Sequence, residues 1–458
     1  MKHAPDNSNR TTLPPNPARG LTAGLDWVKD DHVVCVVDGA GRAVDRFTVT
    51  HTGSGLAELL QRLRKTGCQE IAIERPDGPV VAALLEADLT VVVISPNQLK
   101  NLRSRYGSAG NKDDRFDAYV LADTLRTDRA RLRPLLPDSP ATLTLRATCR
   151  ARKDLIGHRV ALANQLRAHL HTALPGAVGL FAELDSAISL KFVGRFDTQD
   201  KLDWLSAKRL AGWLRNAGYS GRVDPAVLHA RLTAAPRGLT GPPGAAHAHT
   251  TRALLTVLAS LVEQIRALSE QIGEQLDLHT DQHIFTSLPR SGTVRAARLL
   301  AEIGDCRARF PTPEALACLA GVAPSTRQSG KHRGVSFRWS ADKQLRDAVC
   351  DFAGDSRRAN PWADKLYRDA IARGHDHPTP CASSPAPGST SSGTAGKTGS
   401  PTSRPATAPC NATSRHKTRS PTRRLDTGLL MRSPCWLLLA GASTVARVWT
   451  SPAGCGRR

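Results

Sequence analysis

Aromatic residues are scarce: Phe, Trp and Tyr make up 4% of the 458 residues. That is too few for a surface that holds single strands mainly by stacking bases on rings. Acids are in short supply as well, 41 Asp and Glu against 63 Lys and Arg, which leaves a formal net charge of +22. Such an excess points to a polyanionic partner, because phosphate neutralisation by distributed basic side chains supplies much of nucleic-acid affinity; an anionic membrane surface is the competing reading. No run of eighteen apolar residues occurs, which argues against a membrane-spanning helix, and the first twenty residues have no apolar core of the kind a secretory signal needs. A cytoplasmic protein is expected. The ten cysteines are scattered without a C-x-x-C pair, so neither a zinc ribbon nor a disulfide framework is indicated and reduced thiols are expected.

The chain is long enough for two or three domains with cores of their own. Residues 1–20 are rich in Pro and Asn and are expected to be disordered. Val33 to Val37 and Val44 to Val49 are β-type runs around the turn of "DGAGR", a hairpin. "GLAELLQRLRKTG" then has helical spacing, "EIAIE" is a short strand, "PVVAALLEAD" a helix and "TVVVIS" a strand. Together they predict an α/β domain over about 21–130. Residues 131–280 read as helical. Within them Leu254, Leu258, Leu261, Ile265, Leu268 and Ile272 have the spacing of a coiled-coil seam. Either one amphipathic helix packed on its own domain or a dimer-forming coil satisfies that seam. "TAAPRGLTGPPGAAHAHTT" is predicted as a loop between helices. A third domain is expected over 281–377, mostly helical.

"GNKDDRFDAYVLADTLR" places Asp113, Asp114 and Asp117 within five positions of this basic chain. If the chain turns helical near Lys112, Asp114 and Asp117 share a face and can hold one ion together. Asp26 on the first strand and Glu74 at the end of "EIAIE" would complete four carboxylates, the oxygen-rich set that two-metal phosphodiester chemistry needs. The plainer alternative makes Asp113 a helix cap and leaves Asp114 and Asp117 as solvated acids near a positive helix N-terminus. Downstream, Ser329-Gly330 is followed by Lys331, His332 and Arg333. A Ser-Gly pair is usually just a turn. Its basic neighbours would also suit a serine that attacks phosphorus, by offsetting phosphate charge.

The segments "GLDWVKDDHVVCVVD", "IAIE", "VVVISPNQLKNLRSRYG" and "NKDDRFDAYVLAD" resemble the amino-terminal half of insertion-sequence transposases of the 110/116/902 family, and "GVAPSTRQSG" resembles their carboxy-terminal Gly-x-x-Pro, spacer, Ser-Gly pattern. The resemblance spans about 21–375. It implies an RNase H-like (RuvC-type) first domain whose DEDD set falls on Asp26, Glu74, Asp114 and Asp117 with Mg²⁺ as cofactor. The family often has Thr or Ser where this chain has Asp113, which is taken as a bystander. It also implies Ser329 as nucleophile in a serine transposase domain, with Ser325 as rival. Lys331 and Arg333 are the nucleic-acid contacts expected beside it. DNA as substrate, a structured noncoding RNA as guide and a homo-oligomer (dimer or tetramer) complete what the family implies. "SLPRSGTVRAARLLAEIGD" resembles a helix-hairpin-helix only weakly, since Arg290-Ser291-Gly292 replaces Gly-x-Gly; Leu299, Leu300 and Ile303 are expected in the core.

The expected activity is therefore DNA strand cleavage and rejoining at an insertion element. Two alternatives stand beside it: a metal-only, junction-resolvase-like nuclease, and a noncatalytic nucleic-acid-binding remnant. The remnant reading draws on residues 378–458, a low-complexity basic tail. From 379 onward it holds eleven Lys and Arg and a single acid, Asp426. A disordered tail and translation out of frame are both consistent with that composition.

Overall fold

The structure, a computed structural model, describes residues 12–27, 29–107, 113–310, 312–323, 325–330, 332–336 and 338–372. The tail expected at 378–458 lies outside them. Two compact units emerge, Met1–Ser139 with Asp305–Pro311, and Pro140–Gly304 with Thr312–Arg458. No helix among the described residues is long and apolar enough to cross a membrane.

In the first unit the order is β1 (Thr22–Trp27), β2 (Asp31–Val37), β3 (Ala43–Thr50), α1 (Gly53–Thr66), β4 (Glu70–Ile73), α2 (Pro79–Glu86), β5 (Thr90–Val93), α3 (Pro96–Arg103) and α4 (Asp114–Thr127). The sheet runs β3-β2-β1-β4-β5. Its first three strands are antiparallel, and β4 and β5 join in parallel. The β2–β3 turn is held by Asp38, whose carboxylate accepts hydrogen bonds from the backbone N–H of Ala40 and Arg42, both at 2.9 Å. A parallel pair cannot be closed by a tight turn, so β4 and β5 are bridged by α2. Side chains alternate across the sheet. Leu25, Val34, Val36, Ile71 and Ile73 pack with Leu59, Leu63, Val80 and Leu84 from α1 and α2. On the other face Ala72, Val92 and Ile94 meet Val120, Leu121 and Leu125, and Cys35 and Val37 meet Ala118 and Ala122. The result is a mixed sheet between helical layers.

Residues 12–20 depart from the expected disorder. Leu13 packs against the α4-side cluster, the Pro14 carbonyl accepts a 2.8 Å hydrogen bond from Arg129 Nε, and Ala18–Gly20 form a 3-10 turn. Packing of the half-buried Leu13 and a satisfied carbonyl offset part of the ordering cost of this segment.

The second unit is mostly helical. It opens with α5 (Pro140–Ala173), continues through α6 (Ala187–Arg195), α7 (Gln199–Asp203), α8 (Ala207–Asn216) and α9 (Pro225–Ala234), and returns along α10 (Gly241–Asp277). Thr142 contacts His279, Arg152 contacts Ser269 and His169 contacts Thr251, a descending series that makes α5 and α10 antiparallel. Leu258, Ile265 and Ile272 of the predicted seam are buried within the chain. The predicted loop after α9 is shorter than expected. Residues 241–251 are helical, because Pro242 and Pro243 sit in the first turn of α10, where their missing N–H groups leave no hydrogen bond unmade.

Next come α11 (Gln282–Thr286), α12 (Gly292–Ile303), α13 (Pro313–Leu319), β6 (Ser325–Ser329), β7 (His332–Ser336), α14 (Lys343–Ser356) and α15 (Pro361–Ala372). Leu299, Leu300 and Ile303 are buried as expected. Arg150 forms a bidentate pair with Glu302 at 2.9 and 2.7 Å, and Asp347 receives both Lys153 and Arg298. These pairs tie α12 and α14 to α5. The β6–β7 hairpin has no counterpart among the predicted elements, since "STRQSGKHRGVS" is polar on both faces and carries no alternation to read.

Candidate active site

Leu25 on β1 stands opposite Ile73 on β4, and both face the α1–α2 side. One residue later the alternation turns Asp26 and Glu74 toward the α4 side, as neighbours at the ends of adjacent parallel strands. Asp26 is 6% exposed and Glu74 is half-buried. Helix α4 lies against this part of the sheet because Gly24 has no side chain to hold it off. Its first turn carries Asp114, half-buried, and Asp117, 1% exposed. Asp113 is the cap of that helix: its carboxylate accepts from Arg115 N at 3.2 Å.

Arg103, the last residue of α3, is not among the residues the sequence singles out, and it is the centre of the arrangement. Its Nε and Nη2 donate to the two carboxylate oxygens of Asp117, each at 2.5 Å. The hydrogen bonds to Asp117 come first, and the charges of Asp117, Glu74 and Asp26 add to them against the opposing effect of burial, in raising the pKa of the guanidinium above its ordinary value. Three of the four expected acids thus act on one cation, and Asp114 is not among them. The signal that could have placed Arg103 is indirect. Ser95 and Gln98 form a capping box that starts α3, which fixes where that helix ends, but nothing in the spacing links residue 103 to residue 117.

Among the described residues, no three of His, Cys, Asp and Glu stand close enough to hold a metal ion. The donor chemistry nevertheless suits a divalent cation of the Mg²⁺ type, which prefers oxygen ligands. Asp26 and Asp117 and, in part, Asp114 and Glu74 are withdrawn from water, and Arg103 holds both oxygens of Asp117. The residues match such an ion in donor type, with Asp117 engaged by Arg103.

Ser329 lies in the second unit, at the end of β6 opposite His332, and is exposed. Gly330 has φ +55°, so the Ser-Gly pair forms the turn of the hairpin. Ser325, the rival nucleophile, is half-buried at the far end of β6 opposite Ser336. Lys331 lies outside the described residues, and the side chain of Arg333 is not among those described. In the weak helix-hairpin-helix segment, α11 and α12 are joined through Arg290 at φ +54° and Gly292 at φ +61°.

Two family models match the chain. Residues 23–175 match a model of IS110 DEDD proteins described as "Transposase", and residues 282–368 match "Transposase IS116/IS110/IS902 family". The IS117 mini-circle putative transposase of Streptomyces coelicolor is 30% identical over 365 residues, covering 77% of this chain and 88% of that protein. The 42 kDa protein of insertion element IS900 from Mycobacterium paratuberculosis is 28% identical, covering 79% and 91%. Among solved structures, T. thermophilus RuvC in complex with Holliday junction substrate aligns over 25% of this chain and 99% of its own, at 18% identity and a TM-score of 0.21. That likeness carries no weight beside the two family matches. The chain belongs to the IS110/IS116/IS902 family of transposases.

Proposed function

We propose that this transposase cuts and rejoins DNA strands at the ends of an insertion element through an RNase H-like, RuvC-type acidic site and a serine nucleophile. The observation that carries the reading is the strand register, which turns Asp26 and Glu74 to the side of the sheet where α4 buries Asp117. In this reading Asp26, Glu74, Asp114 and Asp117 hold Mg²⁺. When bound, the metal supplies positive charge for the attacking and leaving phosphodiester oxygens.

The chain's own residues do the rest. Asp117 is held by Arg103 and fixed on the sheet side of α4, and Asp114 one turn earlier extends the same helical face. Ser329, exposed on a short hairpin, bonds through Oγ to phosphorus while one strand oxygen departs; the serine proton passes to solvent or to that oxygen, and the strand stays linked as a phosphoserine ester. Lys331 and Arg333, neighbours of Ser329 in the sequence, are the basic residues assigned to offset the charge of that ester. A net charge of +22 supports DNA as substrate and accommodates a structured RNA as guide. Assembly as a dimer or tetramer would bring two element ends together.

Cleavage of element-end DNA with Mg²⁺ and the flanking RNA tests the reading. Asp117→Asn is expected to abolish cleavage with binding retained. Ser329→Ala is expected to remove the protein–DNA adduct seen on a denaturing gel, and Ser325→Ala to keep it. An adduct that persists in Ser329→Ala would reduce the reading to a metal-only nuclease.

A further inference from the structure

Several arginines of the first unit are paired with an acid. Arg103 holds Asp117, and Arg129 holds Glu70 at 2.5 and 2.9 Å with both residues buried. Arg42 meets Asp38 at 3.0 Å and Arg62 meets Asp45 at 3.8 Å. Arg46 on β3 and Arg115 in the first turn of α4 have no such partner. Both are exposed, and among the described residues neither guanidinium pairs with a carboxylate.

The two line one cleft. It measures about 270 Å³, and its walls include Val33, Cys35, Arg46, Thr48 and Arg115. Strand register explains why they meet. Arg46 stands opposite Cys35 and Thr48 opposite Val33 across the β2–β3 ladder, and residues directly opposite share a face of the sheet. Cys35 and Val33 belong to the cluster that packs on α4, so Arg46 and Thr48 emerge on the α4 side as well. Arg115 reaches the cleft from the helix, one turn before Tyr119. The Arg46 guanidinium lies 5.9 Å from the centre of the Tyr119 ring. The hydroxyl of Tyr119 donates to the Gly41 carbonyl at 3.1 Å, which fixes the ring beneath that charge.

The cleft adjoins the acidic site through the sheet. Val33, in its wall, is the direct partner of Asp26 on β1. Asp26, Val33 and Thr48 therefore form one row on the α4 side, and two strand spacings, about 10 Å, carry it from the acid to the outermost strand. Two like charges without a paired acid make a place for an anion, and guanidinium groups match phosphate oxygens in shape as well as in charge. The geometry points to this cleft as a backbone-phosphate subsite: Arg46 and Arg115 grip phosphates of the DNA strand a few nucleotides from the bond that is cut, and so set which bond reaches Asp26. This rests on the reading of the Asp26 side of the sheet as the place of cleavage. Such contacts read no sequence; they fix register. DNA is favoured over RNA because the row ends at Asp26, where the strand to be cut must lie.

Full-length wild type is compared with the double variant Arg46→Gln and Arg115→Gln on labelled element-end duplex. The control is Arg64→Gln with Lys65→Gln, exposed residues at the end of α1, on the opposite face, which lose the same charge. Affinity of the cleft variant is expected to fall about tenfold or more, and its slope of log affinity against log salt to become shallower by roughly one to two units. The control is expected to stay close to wild type. A neutral methylphosphonate is then placed at single positions along the element end. Positions a few nucleotides from the cleavage site are expected to weaken wild type and to leave the cleft variant unaffected, because the contact they remove is already gone. Wild type alone gives an independent measurement should the variant fold poorly: the duplex is expected to protect Arg46 and Arg115 from phenylglyoxal, mapped by mass spectrometry. Equal losses in the cleft and control variants, methylphosphonate effects identical in wild type and cleft variant, or arginines left unprotected would overturn the subsite and leave the cleavage reading standing. So would an affinity loss confined to the flanking noncoding RNA, run as a parallel probe, which would give the cleft to RNA. Absence of duplex binding by wild type would overturn the DNA reading itself, and the subsite with it.

Discussion

A Cβ placed on Gly24 would lie 2.1 Å from the carbonyl oxygen of Ala118 and 2.5 Å from the N of Ala122. These are backbone atoms of α4, so no flexible side chain can give way. The close approach brings Asp117 against the sheet, and a methyl at position 24 would lever the helix away. Gly24→Ala is expected to destabilise the protein by about 3 kcal/mol or more, at the upper end of overpacking costs, measured by denaturant unfolding. Gly157, inside α5, is the control, because a methyl added there would meet nothing within 4 Å. Gly157→Ala is expected to stabilise by up to about 1 kcal/mol, the helix-propensity difference. Equal effects at the two positions would refute the close-packing argument.

Arg129 and Glu70 form the closed counterpart of the Arg103–Asp117 pair. Removing Arg129 leaves a buried carboxylate uncompensated, so Arg129→Met is expected to cost about 3–5 kcal/mol, read from chemical denaturation. Replacing both partners by apolar residues is expected to recover most of that loss, because no buried charge remains. Failure of the double variant Arg129→Met with Glu70→Leu to recover would show that the pair contributes more than its own neutralisation.

Several elements of this arrangement are legible in the sequence alone. Four of the five strands follow from β-branched runs and from the turn of "DGAGR"; Asp26 falls on the first strand as expected, and Glu74 lies one residue past β4 because "EIAIE" is short and clearly bounded. The cap role of Asp113 is legible as an alternative and is what the structure shows. Arg103 and Arg129 are not legible. Their partners lie 14 and 59 residues away, and pairing over such distances depends on how helices stack on the sheet rather than on local pattern. The start of α10 reads as loop from sequence because "GPPG" is a breaker inside a helix and an acceptable beginning of one. The hairpin at Ser329 is hidden for another reason: an exposed two-stranded ribbon needs no apolar alternation.

His32 gives the protein an acid-sensitive point. It is 0% exposed on β2 opposite Trp27, and its Nε2 lies 2.8 Å from His51 Nδ1. Burial first, then the charge of His51, lower its pKa below the ordinary 6.5, with Asp31 opposing. The unfolded chain therefore binds a proton that the folded chain resists, and stability falls as pH drops below about 6.5 toward the folded-state value. His32→Gln is expected to flatten the part of the stability–pH curve just below about 6.5, measured as unfolding midpoint against pH. An unchanged slope there would assign the acid sensitivity to other groups.

Asp113 and Asp114 stand side by side in the sequence and are expected to respond oppositely. Asp113 has extended backbone angles and accepts the N–H of Arg115, the geometry of a helix cap. Asn caps about as well as Asp, whereas Ala cannot accept that hydrogen bond. Asp113→Asn is therefore expected to be nearly neutral for both stability and cleavage, and Asp113→Ala to cost about 1 kcal/mol in unfolding with cleavage retained at temperatures where the protein stays folded. Asp114 lies inside the helix, three residues before Asp117 and on the same side of it. Its amide variant keeps size and helix but loses a charged oxygen, so Asp114→Asn is expected to leave the melting temperature close to wild type while abolishing Mg²⁺-dependent cleavage. Thermal melts and cleavage of element-end DNA on the three variants separate the roles. Cleavage lost in Asp113→Asn and retained in Asp114→Asn would move the acidic set by one residue and turn the cap itself toward the chemistry.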